Sequence, residues 1–283
     1  VLRHEGWRKL EYIPWNLGEK GNPALKDVRV RTALARAVPL EPMLMDLLTT
    51  RRGERLGRPA IGTLPPSLCR SHADELQRLE SDPAAAKQLL QEAGWQDSNG
   101  DGLVDQQGQP LRLRLIGHSG VPMHQEITEA IQKNLAEIGV DLHVELLDAE
   151  AYAARLSEKD WDGVLLSWSA GLTPDLKGNW GSEGPWNFGS YQNPAVDELL
   201  AREATLDQTE EALQLRHQLQ QKIYEDQPAL FLFWVDEVSV LHNRMEDAEV
   251  DVLSPFSHLH HWQVPPDEIL RDNNGNILPK PNP

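Results

Sequence analysis

The sequence predicts an α/β protein in which a mixed sheet is flanked by helices. Three observations predict it. Segments with the two-residue alternation of strands take turns with segments of helical periodicity. Residues 111–147 hold a whole strand–helix–strand unit: LRLRLI, a helical run ending at Gly139, then VDLHVELL. Residues 193–206 and 209–227 give two acidic amphipathic helices that lead into an apolar strand, ALFLFWV, at 229–235.

Along the chain, residues 10–17 (LEYIPWNL) predict a short strand interrupted by Pro14, followed by a Gly/Asn/Pro turn at 18–23. Asp27 precedes VRVRTALARAV as its N-cap, with Val28, Leu34 and Val38 on the buried face. Pro39 and Pro42 stop or restart that helix. Residues 51–72, rich in Arg, Gly and Pro, predict a surface excursion. A second helix opens at Asp82–Pro83 and closes at Gly94. DSNGDGLVDQQG then predicts a hairpin. After the 111–147 unit come a short helix at 149–158, a buried strand at 161–168 (WDGVLLSW) and a loop at 169–193 dense in Gly, Pro and Trp. The tail beyond residue 247 has little periodicity.

The 283 residues suit one large or two modest domains with an ample core. A formal net charge of −17 argues against nucleic acid or an anionic lipid surface as partner, because such a surface repels phosphates. The longest apolar run, 229–235, falls far short of the roughly 20 residues of a membrane helix. Cys69 is the only cysteine, which excludes an internal disulfide and a cysteine-based zinc site. No basic-then-apolar leader precedes Val1, so the chain reads as mature, trimmed or cut from something longer. Nine Trp against four Tyr and four Phe supply large rigid faces, as useful in a binding cleft as in a core.

Five blocks, in order, resemble one family. They are DVRVRTALARA at 27–37, AAAKQLLQEAGWQDSNGDG beginning at Ala84, AIQKNLAEIGV at 130–140, YQNPAVDELL at 191–200 and DQPALFLF at 226–233. Together they are similar to the second half of the large solute-binding proteins of peptide and nickel ABC importers. The resemblance implies a periplasmic-binding-protein-like fold, with residues 22–233 as the second lobe. Residues 1–21 would be a strand crossing from the first lobe, and 234–283 the return to it. It implies an extracytoplasmic protein that binds a peptide-like small solute between two lobes and delivers it to membrane permease subunits, without cofactor or catalysis. Unpaired first-lobe strands would let the chain form a homodimer.

The resemblance also proposes a binding set. Trp168 and Ser169 lie in the block LLSWSAGLTPD, where Trp168 matches an aromatic wall residue and the alternative is plain core packing. Dipeptide and oligopeptide binders of the family place an Asp three residues after that Trp to pair with the ligand's α-ammonium. Gly171 stands there instead, leaving Asp175 or Glu183 as candidate substitutes. His118 occupies a position where some dipeptide binders hold the ligand carboxylate with Arg. Trp180, Trp186 and Asn187 would complete the wall for a hydrogen-bonding solute, though two of them could equally well pack the loop.

Other constellations point elsewhere or nowhere. Asp97, Asn99, Asp101, Gly102 and Asp105 mimic a calcium loop, but Gly108 stands where a bidentate acid belongs, and turn chemistry accounts for the pattern. His258, His260 and His261 have no carboxylate neighbour at ligand spacing, so no metal site is assigned. No G-x-S-x-G, P-loop or H-E-x-x-H occurs, and Cys69 has no activating neighbours. Two alternative functions remain open: the solute-sensing domain of a transcription regulator, and a cleft hydrolase with paired carboxylates.

Overall fold

Most of the described helices begin where the sequence supplies a cap; those at Leu40–Leu47 and Pro122–Glu137, which start beside prolines, do not. In the computed structural model, Asp27 accepts the Arg29 N–H at 2.9 Å and opens α1, Val28–Ala37. Val30, Ala33, Leu34 and Ala37 form its buried stripe. Val28, expected on that face, is 40% exposed, because two residues before Val30 lies about half a turn away. Pro39 and Pro42 restart the helix as α2, Leu40–Leu47. The expected surface excursion is only partly one: it contributes strand β2, Gly57–Pro59, and buries Ala60 and Leu64. The described residues are 2–65, 73, 76–171, 175–206, 209–242, 244–251, 256–265, 270–271 and 274–278; Cys69 lies outside them.

Helix α3, Pro83–Glu92, starts at Asp82, whose carboxylate accepts the N–H groups of Ala84 and Ala85. The hairpin strands β3, Asp105–Gln106, and β4, Gln109–Pro110, follow. In the turn before them, Asp97 accepts from Gly100 and Gly102, and Asp101 from Leu103. Those oxygens serve backbone N–H groups, as turn chemistry requires.

Two sheets organise the larger of two compact units, Trp7–Val235. In the first, β5 (Arg112–His118), α4 (Pro122–Glu137) and β6 (Asp141–Leu147) make a parallel unit in register from Arg112↔Asp141 to His118↔Leu147. Helix α5, Ala149–Glu158, leads to β7, Gly163–Val164, on the other side of β5. The second sheet has the order β2-β9-β1-β8, where β1 is Leu2–Pro14, β8 is Leu166–Ser169 and β9 is Ala229–Ser239. Helices α6 (Leu176–Trp180), α7 (Pro194–Glu203) and α8 (Glu210–Asp226) lie between β8 and β9 in the chain.

The strand expected over 161–168 is therefore two strands in different sheets. The Leu165 N–H still bonds Ile116 O, while Leu166 already pairs with Tyr12. Residues 161–165 are buried throughout, and inside–outside alternation begins only at Leu166. A continuous apolar run conceals such a change of partner. Trp15 joins the sheets by bridging Gly163, where an added Cβ would lie 2.9 Å from the indole Cζ3.

Two large apolar clusters hold this unit, with a small third one of Ile116, Trp161 and Val164. One gathers Leu34, Leu44, Leu90, Leu113, Ile131 and Leu135 under the first helices. The other packs Leu10, Tyr12, Trp180, Leu219, Phe231 and Trp234. The smaller unit is Val1–Gly6 with Asp236–Pro283. It contains a hairpin of β10 (Leu270–Arg271) and β11 (Ile277–Leu278), and a short 3₁₀ turn at Leu259–His261. Among the described residues, no helix is long and apolar enough to cross a membrane.

Candidate functional site

Strand β8 is an edge strand. Among the described residues its sheet neighbour is β1, antiparallel, from Lys9↔Ser169 to Tyr12↔Leu166. Its other edge turns main-chain donors and acceptors outward. Beside it lies a cavity of about 440 Å³, lined by Tyr12, Leu166, Ser167, Trp168, Ser169, Asn179, Trp186 and Phe188. Three of the sequence candidates, Trp168, Ser169 and Trp186, thus converge.

Trp168 fits both of the readings given to it. It lines the cavity, and its ring also leans on Trp234 at 6.4 Å between centroids. Trp186 is 56% exposed, 6.4 Å from Phe188. Behind the lining residue Ser167 lies a buried carboxyl group. Glu11 is fully buried, and Ser167 Oγ lies 2.7 and 2.8 Å from its two carboxylate oxygens. Lys9 Nζ lies 2.9 Å from Glu11 Oε1. With its proton directed to Glu11, the Ser167 hydroxyl offers lone pairs to a donor in the cavity.

His124 stands behind this group. Its Nδ1 accepts the His118 N–H at 3.0 Å, so Nε2 carries the proton, 3.9 Å from Glu11 Oε2. Burial pushes the His124 pKa down to about 4, with smaller contributions from His118 and Lys9. Burial likewise pushes the Tyr12 phenol up.

The remaining candidates do not line this cavity, although Trp180 and Asn187 border a narrow adjoining pocket that shares Tyr12, Asn179, Trp186 and Phe188 with it. Trp180 is a core residue, packed against Tyr12 and Phe231 at 6.3 and 5.7 Å. Asn187 ties the loop together. Its Nδ2 donates to Gly181 O and Tyr191 O at 2.9 and 2.8 Å, and its Oδ1 accepts from Tyr191 N–H at 3.0 Å. Three of the four hydrogen bonds that the amide can make are thus spent on the loop itself.

His118 Nδ1 accepts the Gly120 N–H, and its ring meets Tyr152 edge-on at 5.5 Å, away from the cavity. Asp175 caps α6 through the Gly178 N–H at 2.7 Å. With Glu183 it lines a separate cavity of about 550 Å³. Gly171 is exposed just past β8, and residues 172–174 lie outside the described set.

Sequence reasoning missed Tyr12, Leu166, Ser167, Asn179 and Phe188. The alternation of Leu10 and Tyr12 was visible, but which face would border a cavity depends on β1 pairing with a strand more than 150 residues away.

Comparison with known proteins bears on the fold and the family. Over 259 residues the chain is 26% identical to the oligopeptide-binding protein AppA of Bacillus subtilis, covering 89% of this chain and 46% of AppA. Over 183 residues it is 29% identical to the glutathione-binding protein GsiB of Salmonella typhimurium, covering 60% and 33% of the two chains. The chain thus spans about half the length of AppA and about a third of that of GsiB. The structure of AppA in complex with a nonapeptide superimposes with a TM-score of 0.81, at 26% identity, over 93% of this chain and 52% of AppA. The substrate-binding protein CtaP of Listeria monocytogenes superimposes with a TM-score of 0.76, at 21% identity, over 93% and 51%, which speaks to the fold alone. Residues 8–190 match the model of the middle region of bacterial extracellular solute-binding proteins, family 5. By this match and by its mixed α/β architecture, the chain belongs to the family 5 extracellular solute-binding proteins.

Proposed function

We propose that the chain is the solute-binding component of an ABC importer, working outside the cytoplasm by reversible binding and passing a peptide-like solute to permease subunits. Residues 22–233 would be its second lobe, with 1–21 and 234–283 as the crossing and return segments of the first. One observation carries the ligand class: an outward-facing edge strand, β8, walled by Trp168 and Trp186. An extended peptide can add to such an edge through its main chain, its side chains meeting the aromatic faces. Ser167, oriented by buried Glu11, gives a place for an amine or amide donor where Gly171 offers none. AppA and GsiB, named for oligopeptide and glutathione, support a ligand with peptide bonds. The comparisons favour neither the sensor nor the hydrolase alternative, and they give no support to a homodimer.

Tryptophan fluorescence of the whole chain, titrated with an alanine peptide series from two to nine residues, tests the reading. Saturable binding should weaken about tenfold in Trp168→Ala or Trp186→Ala, as expected when a stacking face is lost. Asp175→Asn and His118→Gln should leave it unchanged. Binding indifferent to both tryptophans, or no binding to any peptide, overturns it.

A further inference from the structure

The histidine-rich turn of the smaller unit acquires in three dimensions the carboxylate it lacks in sequence. Segments 244–251 and 256–263 run side by side, zipped by a two-way backbone bridge: Glu246 N–H to Gln263 O at 2.8 Å and the reverse at 3.0 Å. Trp262 Nε1 donates to Glu249 O at 3.1 Å and fixes the register between them. Residues 259–261 form a 3₁₀ turn, with the His261 N–H bonded to His258 O at 2.9 Å. At three residues per turn, positions i and i+3 eclipse. His258 and His261 accordingly lie one over the other, with ring centroids 6.0 Å apart and planes 14° from parallel. Glu249 faces them from the other segment, and one ligand atom from each of the three lies within 4.8 Å of the others. Donors bound to one ion at about 2.0–2.2 Å stand within about 4 Å of each other, so closing the set needs side-chain shifts of under about 1 Å.

We propose that Glu249, His258 and His261 bind a late first-row divalent cation, with zinc as the type case. Two imidazoles and one carboxylate form a borderline donor set. It suits zinc, nickel or copper(II), and it lacks the oxygen shell that calcium or magnesium demands. Asp251 Oδ2 lies 3.6 Å from His258 Nε2, within reach to orient that ring or to join as a fourth ligand. His260 is a neighbour of His261, at 4.0 Å between ring centroids, but stands outside the ligand set. The ion would clasp two segments that the Glu246–Gln263 bridge and the Trp262–Glu249 hydrogen bond already hold side by side. The cluster lies wholly within Asp236–Pro283, so the proposal is independent of the solute-binding reading.

The test uses the whole chain without an affinity tag, stripped with a chelator and titrated calorimetrically with zinc sulfate. One zinc per chain is expected, with a dissociation constant of about 10 µM or tighter. His258→Ala, His261→Ala and Glu249→Gln should each weaken it about tenfold or more, and His260→Ala less than about threefold. All four side chains are at least partly exposed, so unchanged circular dichroism will confirm that each variant folds. Calcium chloride should give no saturable heat. Three results overturn the proposal: no saturable zinc binding below about 1 mM, a loss in His260→Ala equal to that in His261→Ala, or a Glu249→Gln variant that binds like the parent. Peptide titration of the stripped chain is unaffected by any of these outcomes.

Discussion

His124 concentrates the site's electrostatics in one side chain. Lys9 and His118 add positive charge nearby, and Glu11, already engaged by Lys9 and Ser167, is too far to share its proton. The folded chain therefore holds the imidazole neutral down to about 4, whereas in the unfolded chain it takes up a proton near 6.5. A depressed folded-state value means the stabilisation is complete above about 6.5 and is lost as the pH falls towards 4. The slope reaches about 1.4 kcal/mol per pH unit. His124→Gln, which can still accept the His118 N–H, should lose less stability than the parent between pH 7 and pH 5, measured by urea midpoints. Equal losses would place the acid sensitivity elsewhere.

At the level of elements, the join between the two sheets is the place to probe. Gly163→Ala would drive a methyl group into the Trp15 ring and the Ile13 side chain, at 2.9 and 3.0 Å. Chemical denaturation should show a loss of about 1–3 kcal/mol; a neutral result would mean that Trp15 can tilt away freely. The same join marks the limit of what the sequence discloses. Caps and periodicity are local, so α1, α3, α5, α7 and α8 and the β5–α4–β6 unit were legible from Asp27, Asp82, Gly139 and the alternation around them. The division of 161–168 between two sheets was not, because Leu165 and Leu166 are chemically alike and only their distant partners differ. The site suffers similarly. Trp168 and Trp186, read from the sequence as candidate walls, line the cavity, but Trp180 has the same side chain and fills the core. A loop sequence does not reveal which ring turns inwards.

For the whole molecule, the excess of 44 acidic over 27 basic side chains sets a background of self-repulsion. Exposed pairs such as Glu41 with Arg55 and Arg78 relieve little of it. Raising sodium chloride from about 10 to about 150 mM shortens the screening length from roughly 30 to 8 Å. Scanning calorimetry should then show a higher melting temperature. A fall would mean that the attractive pairs outweigh the net charge.

The order of strands β2-β9-β1-β8 also imposes a timetable on synthesis. Strand β1 is made well before both of its neighbours among the described residues, β8 at Leu166–Ser169 and β9 at Ala229–Ser239. The parallel β5–α4–β6 unit, by contrast, is contiguous and has its partners at hand as soon as it emerges. During translation β1 must therefore wait for β8 and β9 with the main-chain groups they will pair still open, and in this nascent interval it is exposed to mispairing.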